Sequence, residues 1–350
     1  MNRPAQNLPP DLATQRETFY QRISARNLKP LWEVLHSLVP EHPQPKCVPA
    51  LWKFADVRPP LMEAGELISA KEATRRVLIL ENPAFTGESR ITNSMYAGMQ
   101  LLKPGEVAPA HRHVQSALRF VLEGKGAFTA VDGERAYMEP GDLILTPSWT
   151  YHDHGSEVDE PVIWLDGLDI PIVQLLDAGF CESLGEDQQQ VARPVGDALA
   201  RYGANMLPVD YQPRTLTSPI FVYPYARTRE ALARLAAGSA VDACHGFKMR
   251  YINPATGGHA MPTIATFMQL LPKGFRGQGY RSTDATVFVG VEGTGRSRIG
   301  DQVFDWGPRD VFVVPSWAQC RHETDADAVL FSFSDRVVQE QLGLWREARS

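Results

Sequence analysis

Residues 142–149, DLILTPSW, return 168 residues later as 310–317, DVFVVPSW. A second pair keeps almost the same offset: 122–126, LEGKG, and 291–295, VEGTG, stand 169 residues apart. Two matches in register mark a duplicated unit rather than one continuous domain. Around the first copy lie further short apolar runs, MQLL, ALRFVLEGKG, AFTAVDG, RAYMEPGD and PVIWLDGLDI, each closed by turn residues. Strands at roughly ten-residue spacing predict a β-barrel or sandwich. Within them 131–134, VDGE, predicts a tight hairpin, because Asp-Gly supplies positive φ angles cheaply. The expected fold is all-β dominated, with two tandem barrels.

The flanks read differently. Apolar Phe19, Ile23, Leu28, Trp32, Leu35 and Leu38 recur at helical spacing, with Pro30 separating two segments, so an N-terminal helical arm is expected. Prolines from 40 to 60 predict an extended connector, and 228–237 predicts a helix within an inter-domain segment. The expected division is 1–85 arm and connector, 86–175 first barrel, 176–250 inter-domain segment, 251–334 second barrel and 335–350 a C-terminal helix.

Composition narrows the partners. The chain has 350 residues and a formal net charge of -6, which gives no reason to expect nucleic acid or an anionic membrane. Cys47, Cys181, Cys244 and Cys320 are dispersed, with no C-x-x-C pair, so reduced thiols are expected. The N-terminus lacks an apolar signal region and no run is long enough to span a membrane, which predicts a cytoplasmic protein acting on a small molecule.

Chemistry concentrates in the first unit. His111 and His113 are two apart, and on a strand residues i and i+2 face the same side. His152 follows about 40 residues later, where a neighbouring strand can bring it alongside, and His154 is two residues beyond. Three neutral imidazoles on one side of a metal leave the other side open for reactants. H-x-H alone reads equally well as a surface pair.

The context is more specific. Gly105-x5-His111-x-His113 with Gly124, then Gly141-x5-Pro147-x4-His152, resembles the two motifs of the cupin superfamily. The segments LWEVL (31–35), RPPLMEAGELI (58–68), RRVLILENP (75–83), APAHRHVQSALRFVLEG (108–124), GDLILTPSWTYHDHG (141–155) and YINPATGG (251–258) resemble the gentisate 1,2-dioxygenases and the related salicylate and 1-hydroxy-2-naphthoate dioxygenases. Together they cover nearly the whole chain.

That resemblance implies two cupin (double-stranded β-helix) barrels, one Fe(II) per chain held by His111, His113 and His152 in the first, and usually a homotetramer. Many metal cupins carry a glutamate four or five residues after the second histidine, where this chain has Ala117 and Leu118. The implied centre is therefore three-histidine, and a 2-hydroxybenzoate would supply the missing anionic donors. The implied reaction inserts both atoms of O2 and opens the C1–C2 bond, turning gentisate into maleylpyruvate. Salicylate, 5-substituted salicylates and 1-hydroxy-2-naphthoate are alternative substrates, since pocket differences discriminate apolar additions by only about 1–3 kcal/mol.

Arg119 is a cationic fork suited to the substrate carboxylate. Gln100 and His154 match substrate-contacting positions of the family, and Arg75, Tyr96 and Asp166 match its pocket less distinctively. On the repeat, the three ligand positions fall on Tyr280, Ser282 and Cys320 in the second barrel, where no metal is expected, while His322 persists at the place of His154. Trp149 and Trp317 are expected to pack in the two cores. A bicupin decarboxylase or isomerase would carry the missing glutamate. A non-catalytic cupin binding protein would not need the full histidine set.

Overall fold

The computed structural model describes residues 9–350, which fall into two units divided between Gln44 and Pro45. The described part of the first unit holds helices Pro10–Ser24 and Leu31–Leu38, separated as Pro30 predicts. Trp32 Nε1 donates to Tyr20 Oη at 3.1 Å, and Tyr20 in turn donates to Glu33 at 2.9 Å.

In the second unit the sequence repeat becomes two β-barrels, each of a six-stranded and a five-stranded sheet. Strands Tyr96–Leu102, Ala117–Glu123 and Val162–Leu168 of the first correspond to Ala265–Leu271, Thr286–Glu292 and Ala328–Ser334 of the second. The matched LEG and VEG turns need their glycines. Gly124 and Gly293 have φ of 79° and 69°, and a Cβ would stand 2.3 and 2.4 Å from the carbonyls of Pro161 and Asp327. Asp132 and Gly133, with φ of 47° and 79°, form the predicted hairpin turn.

The outer faces of the two six-stranded sheets pack on one another. Leu118, Phe120, Met99 and Leu165 of the first meet Met268, Val287, Phe331 and Phe333 of the second, and the Phe120 and Phe331 rings stack at 4.1 Å. Each such buried side chain contributes about 1.5–3 kcal/mol. Alternation along the strands then turns Gln100, Arg119 and Asp166 into the first barrel and Phe267, Gln269 and Phe288 into the second.

Two stretches differ from expectation. The proline-rich connector contains strand Ala50–Trp52 and helix Phe54–Leu67, with Pro59 and Pro60 inside the helix. Prolines remove hydrogen bonds there, but Leu61 is fully buried and Asp310 Oδ1 accepts the Phe54 N–H at 2.9 Å, so tertiary contacts override the breakers. The inter-domain segment carries the equivalent pair, strand Val222–Tyr223 and helix Tyr225–Gly238, and Asp142 Oδ1 accepts the Tyr225 N–H at 2.8 Å. Both strands cross over. Ala50–Trp52 pairs with Val311–Val314 of the second barrel, and Val222–Tyr223 with Leu143–Thr146 of the first. The C-terminal stretch is helical only over Arg336–Gln341, after which Glu347–Arg349 forms a strand against Tyr280–Ser282.

All four cysteines are free, with Cys181 exposed and the others buried. Among the described residues no helix is long and apolar enough to cross a membrane.

Candidate active site

His111 and His113 end strand Val107–His113, and His152 opens strand His152–Ser156, directly opposite His111 in the antiparallel register. Ring centroids lie 4.5 Å apart for His111 and His152, 4.8 Å for His113 and His152, and 5.3 Å for His111 and His113. One nitrogen from each falls within 4.8 Å of the others.

The tautomers follow from the backbone. The Nδ1 atoms of His111, His113 and His152 lie 3.2, 2.8 and 3.0 Å from the carbonyls of Pro109, Gln115 and Thr150. For His113 and His152, donating Nδ1–H to a carbonyl leaves the Nε2 lone pair free, the arrangement a metal-bound imidazole needs, whereas His111 Nδ1 also faces Arg75 Nη2, which can only donate, at 2.7 Å. Burial, and for His111 and His113 also the charges of Arg75 and Arg119, lower their pKa values to about 3 and about 4. Buried His152 is lowered well below its ordinary value too. All three are therefore neutral at physiological pH, as metal-binding imidazoles must be, and the set could hold a divalent transition metal with open positions.

Tyr96, Gln100, Arg119 and Asp166 come to the site from the opposite sheet, while His154 follows His152 on its own strand. Arg119 is buried on strand Ala117–Glu123, in the six-stranded sheet opposite the histidine strand. Its Nη1 donates to Thr146 Oγ1 at 2.5 Å, and its Nε lies 3.5 Å from Asp166 Oδ1. Asp166 also accepts Trp164 Nε1–H at 3.0 Å, yet burial pushes its carboxyl up to about 6 against the pull of Arg119. Gln100 is buried beside Trp164, and Tyr96 shares the Gln100 face of its strand. Arg75 is no surface charge. Its Nη2 donates to the Pro109 carbonyl at 3.0 Å and stands 2.7 Å from His111 Nδ1, and burial followed by the charge of Arg119 lowers it to about 9.

His154 is fully buried, with its ring 5.4 Å from Trp164. Its Nδ1 meets Thr129 Oγ1 at 2.9 Å, and its Nε2 has no partner among the described residues. Thr129 and Thr146 escaped the sequence reading. Both occupy inward positions on short strands, and the second copy's Ser297 at the place of Thr129 is the one signal that marked a polar position there.

Trp149 and Trp317 do not pack in the cores. Trp149 is 40% exposed, with Arg112 over its ring at 4.5 Å, and Arg281 lies over Trp317 at 4.8 Å. Their φ angles are 58° and 61°, an uncommon region for a bulky residue. The turn is held because the Trp149 N–H donates to the His113 carbonyl at 2.7 Å, and the Trp317 N–H to the Ser282 carbonyl at 2.6 Å. The repeated PSW turn thus clamps the end of the strand that bears His113.

At the ligand positions of the second barrel Tyr280 stands opposite Cys320, as His111 does opposite His152. Among the described residues, the three histidines of the first barrel are the one group with metal-ligand spacing.

Comparison with known proteins agrees with this geometry. Residues 98–168 match the cupin domain model. The chain is 59% identical to gentisate 1,2-dioxygenase 1 of Aquipseudomonas alcaligenes over 97% of this chain and 98% of that one. It is 35% identical to a 5-aminosalicylate 1,2-dioxygenase of Comamonas sp over 97% and 92% of the two chains. Among solved structures, a variant of the salicylate 1,2-dioxygenase of Pseudoaminobacter salicylatoxidans in complex with gentisate superposes with a TM-score of 0.91 at 34% identity, covering 100% of this chain and 97% of that one.

Proposed function

The chain belongs to the gentisate 1,2-dioxygenase family of cupin-fold dioxygenases, and from that premise we propose that it opens the C1–C2 bond of gentisate with O2, giving maleylpyruvate. The observation that carries the reading is one ring nitrogen from each of three histidines, all within 4.8 Å of one another, in the barrel that also buries Arg119, with no carboxylate in the group. His111, His113 and His152 would hold an Fe(II), which would supply Lewis-acid binding of an anionic substrate and the redox chemistry that makes the reaction with O2 allowed.

The chain's own residues set the geometry and the charge. Arg119 donates its remaining N–H groups to the substrate carboxylate while Asp166 and Thr146 keep the guanidinium from rotating. Arg75 adds a second positive charge at the ligand side and favours an anionic substrate. His154 presents Nε2 to the substrate hydroxyl, where it holds or passes on that group's proton, and the Thr129 hydroxyl keeps the ring aligned in either tautomer. Gln100 and Tyr96 line the wall and offer hydrogen bonds to the ring substituents. The buried walls formed by Trp164 and its neighbours exclude water and strengthen these contacts.

Residues 86–175 carry the chemistry on this reading, residues 251–334 form the barrel without metal, and residues 176–250 join them. The working form is a cytoplasmic homotetramer with one Fe(II) per chain.

The test is oxygen uptake by protein purified without oxygen and reloaded with Fe(II), offered gentisate, salicylate, 5-aminosalicylate and 1-hydroxy-2-naphthoate in turn. Iron-dependent uptake fastest with gentisate and lost in His113→Ala supports the reading. One metal per chain without uptake on any of the four would move the protein to a binding role.

A further inference from the structure

A single peptide group holds the His113 ring from behind. The imidazole Nδ1–H donates to the Gln115 carbonyl at 2.8 Å, and the N–H of that same peptide, on Ser116, donates to Asp169 Oδ1 at 2.9 Å. A carboxylate thus stands one peptide away from a ligand imidazole. Ser116 and Asp169 are 1% and 2% exposed, so water does not screen the bond between them.

Asp169 lies between strand Val162–Leu168, which carries Asp166, and helix Ile170–Leu175. An aspartate there usually caps the helix, but its side chain caps no N–H of that helix. Its second oxygen, Oδ2, accepts from Thr263 Oγ1 at 2.5 Å, two residues ahead of strand Ala265–Leu271 of the second barrel. Both oxygens therefore accept from donors, as an ionised carboxylate does. Burial pushes the carboxyl up to about 6, and the bonds from Thr263 and Ser116 act in the opposite direction.

Two comparisons within the molecule set this arrangement apart. The peptide behind His111 donates its Ala110 N–H to a neutral acceptor, the Asp187 carbonyl, at 3.0 Å. In the second barrel Asp335 holds the same place, between strand Ala328–Ser334 and helix Arg336–Gln341, but its Oδ2 accepts from Gln339 of its own helix at 3.1 Å. Among the described residues, the aspartate reaches the peptide beyond the ligand-position strand in the first barrel only.

We propose that Asp169 is a positioning residue of the metal centre. Its negative charge polarises the Gln115–Ser116 peptide, strengthens the Gln115 carbonyl as acceptor of His113 Nδ1–H, and makes His113 Nε2 a stronger donor to the metal. Bonds in series reinforce one another at low dielectric, and a better acceptor at one ring nitrogen raises the basicity of the other. Thr263 steadies the carboxylate, so the barrel without metal ligands touches the centre through this relay. The inference rests on the reading of His111, His113 and His152 as an iron site.

Asp169→Asn tests it, because the amide oxygen still accepts from Ser116 while the charge is gone and Nδ2 can donate to Thr263 Oγ1. The Fe(II)-loaded full chain is compared with wild type without substrate at about pH 8, where Asp169 is ionised. A stronger donor favours Fe(III), so the variant is expected to have a higher Fe(III)/Fe(II) midpoint potential, read from the ferric electron paramagnetic resonance signal during a redox titration. Its Fe(II) affinity, from competition with a chelator, should be about 10-fold weaker. An aspartate that only braces the fold would lower the thermal midpoint and leave the potential unmoved. A potential equal to or below that of wild type overturns the proposal. Iron uptake by wild type that survives in His113→Ala, or no uptake at all, removes the iron site and the relay together. Iron bound through His113 with no response to Asp169→Asn removes the relay alone. If Asp169→Asn does not fold, Thr263→Val decides. Losing that donor leaves more of the carboxylate's charge to Ser116, so the potential should fall, and an unchanged or raised value rejects the relay.

Discussion

Thr129 Oγ1 stands 2.9 Å from His154 Nδ1, and the second barrel repeats the pair as Ser297 Oγ and His322 Nδ1 at 2.8 Å. What differs is the far side of the ring. His322 Nε2 lies 3.8 Å from the Cys320 thiol, whereas His154 Nε2 has no partner among the described residues and its ring lies 5.9 Å from that of His152. The hydroxyl–histidine pair is therefore part of the barrel's construction, and only the first copy leaves its outer nitrogen for a reactant. Thr129→Val removes the hydroxyl while keeping the shape, so it is expected to lower kcat/KM about 10-fold with unchanged iron content. Steady-state oxygen uptake beside elemental analysis checks both halves of that expectation.

Arg119 is tied to Asp166 and Thr146 before substrate arrives, so its position is preorganised. A charge-assisted hydrogen bond contributes about 1.5–3 kcal/mol, which corresponds to about 10- to 100-fold in affinity. Arg119→Met is expected to raise KM for gentisate by that factor, while Arg119→Lys, lacking the planar fork, recovers only part of it. Saturation kinetics of oxygen uptake, with KM separated from kcat, provide the measurement.

Removing a ligand should empty the site without unfolding the protein, because the metal histidines sit apart from the large core between the barrels. His113→Ala is expected to lower metal affinity more than about 100-fold, exceeding the loss typical of second-sphere changes. Iron per chain should fall toward zero while the far-ultraviolet circular dichroism spectrum stays that of the wild type.

The barrels and the histidine set were legible because both rest on strict local rules, period-two alternation and a repeat that kept its register. Gly124 and Gly293 are the same turn twice, and His111 and His113 share a face by alternation alone. The helix over Pro59 and Pro60 was not legible, since it is stabilised by Leu61 and by Asp310, more than 240 residues away in sequence. The crossing of Ala50–Trp52 and Val222–Tyr223 into the opposite barrels was hidden for the same reason. Trp149 misled because apolar character and repetition suggest a core, whereas its backbone N–H and the stack under Arg112 are what the turn uses.

His322 gives a test of pH dependence that the metal does not complicate. It is 4% exposed, and burial lowers its pKa to about 3 from the ordinary 6.5, with the charge of Lys248 acting in the same direction. Below pH 6.5 the unfolded chain takes up a proton that the folded ring refuses. The stability linked to this histidine is thus fully present above pH 6.5 and is lost as the pH falls toward about 3. Asp142, Asp169 and Asp335, each raised by burial to about 6, act oppositely, with stability present below about pH 4 and lost as the pH rises through 6. Comparing variants isolates the histidine from these carboxyls. His322→Gln can keep the bond to Ser297 but cannot titrate, so its denaturation midpoint should fall less steeply than the wild type's between pH 6.5 and 4. The difference in slope is expected to be no more than about 1.4 kcal/mol per pH unit. Urea unfolding of both proteins across that range measures it, and parallel curves would mean that His322 titrates normally in the fold.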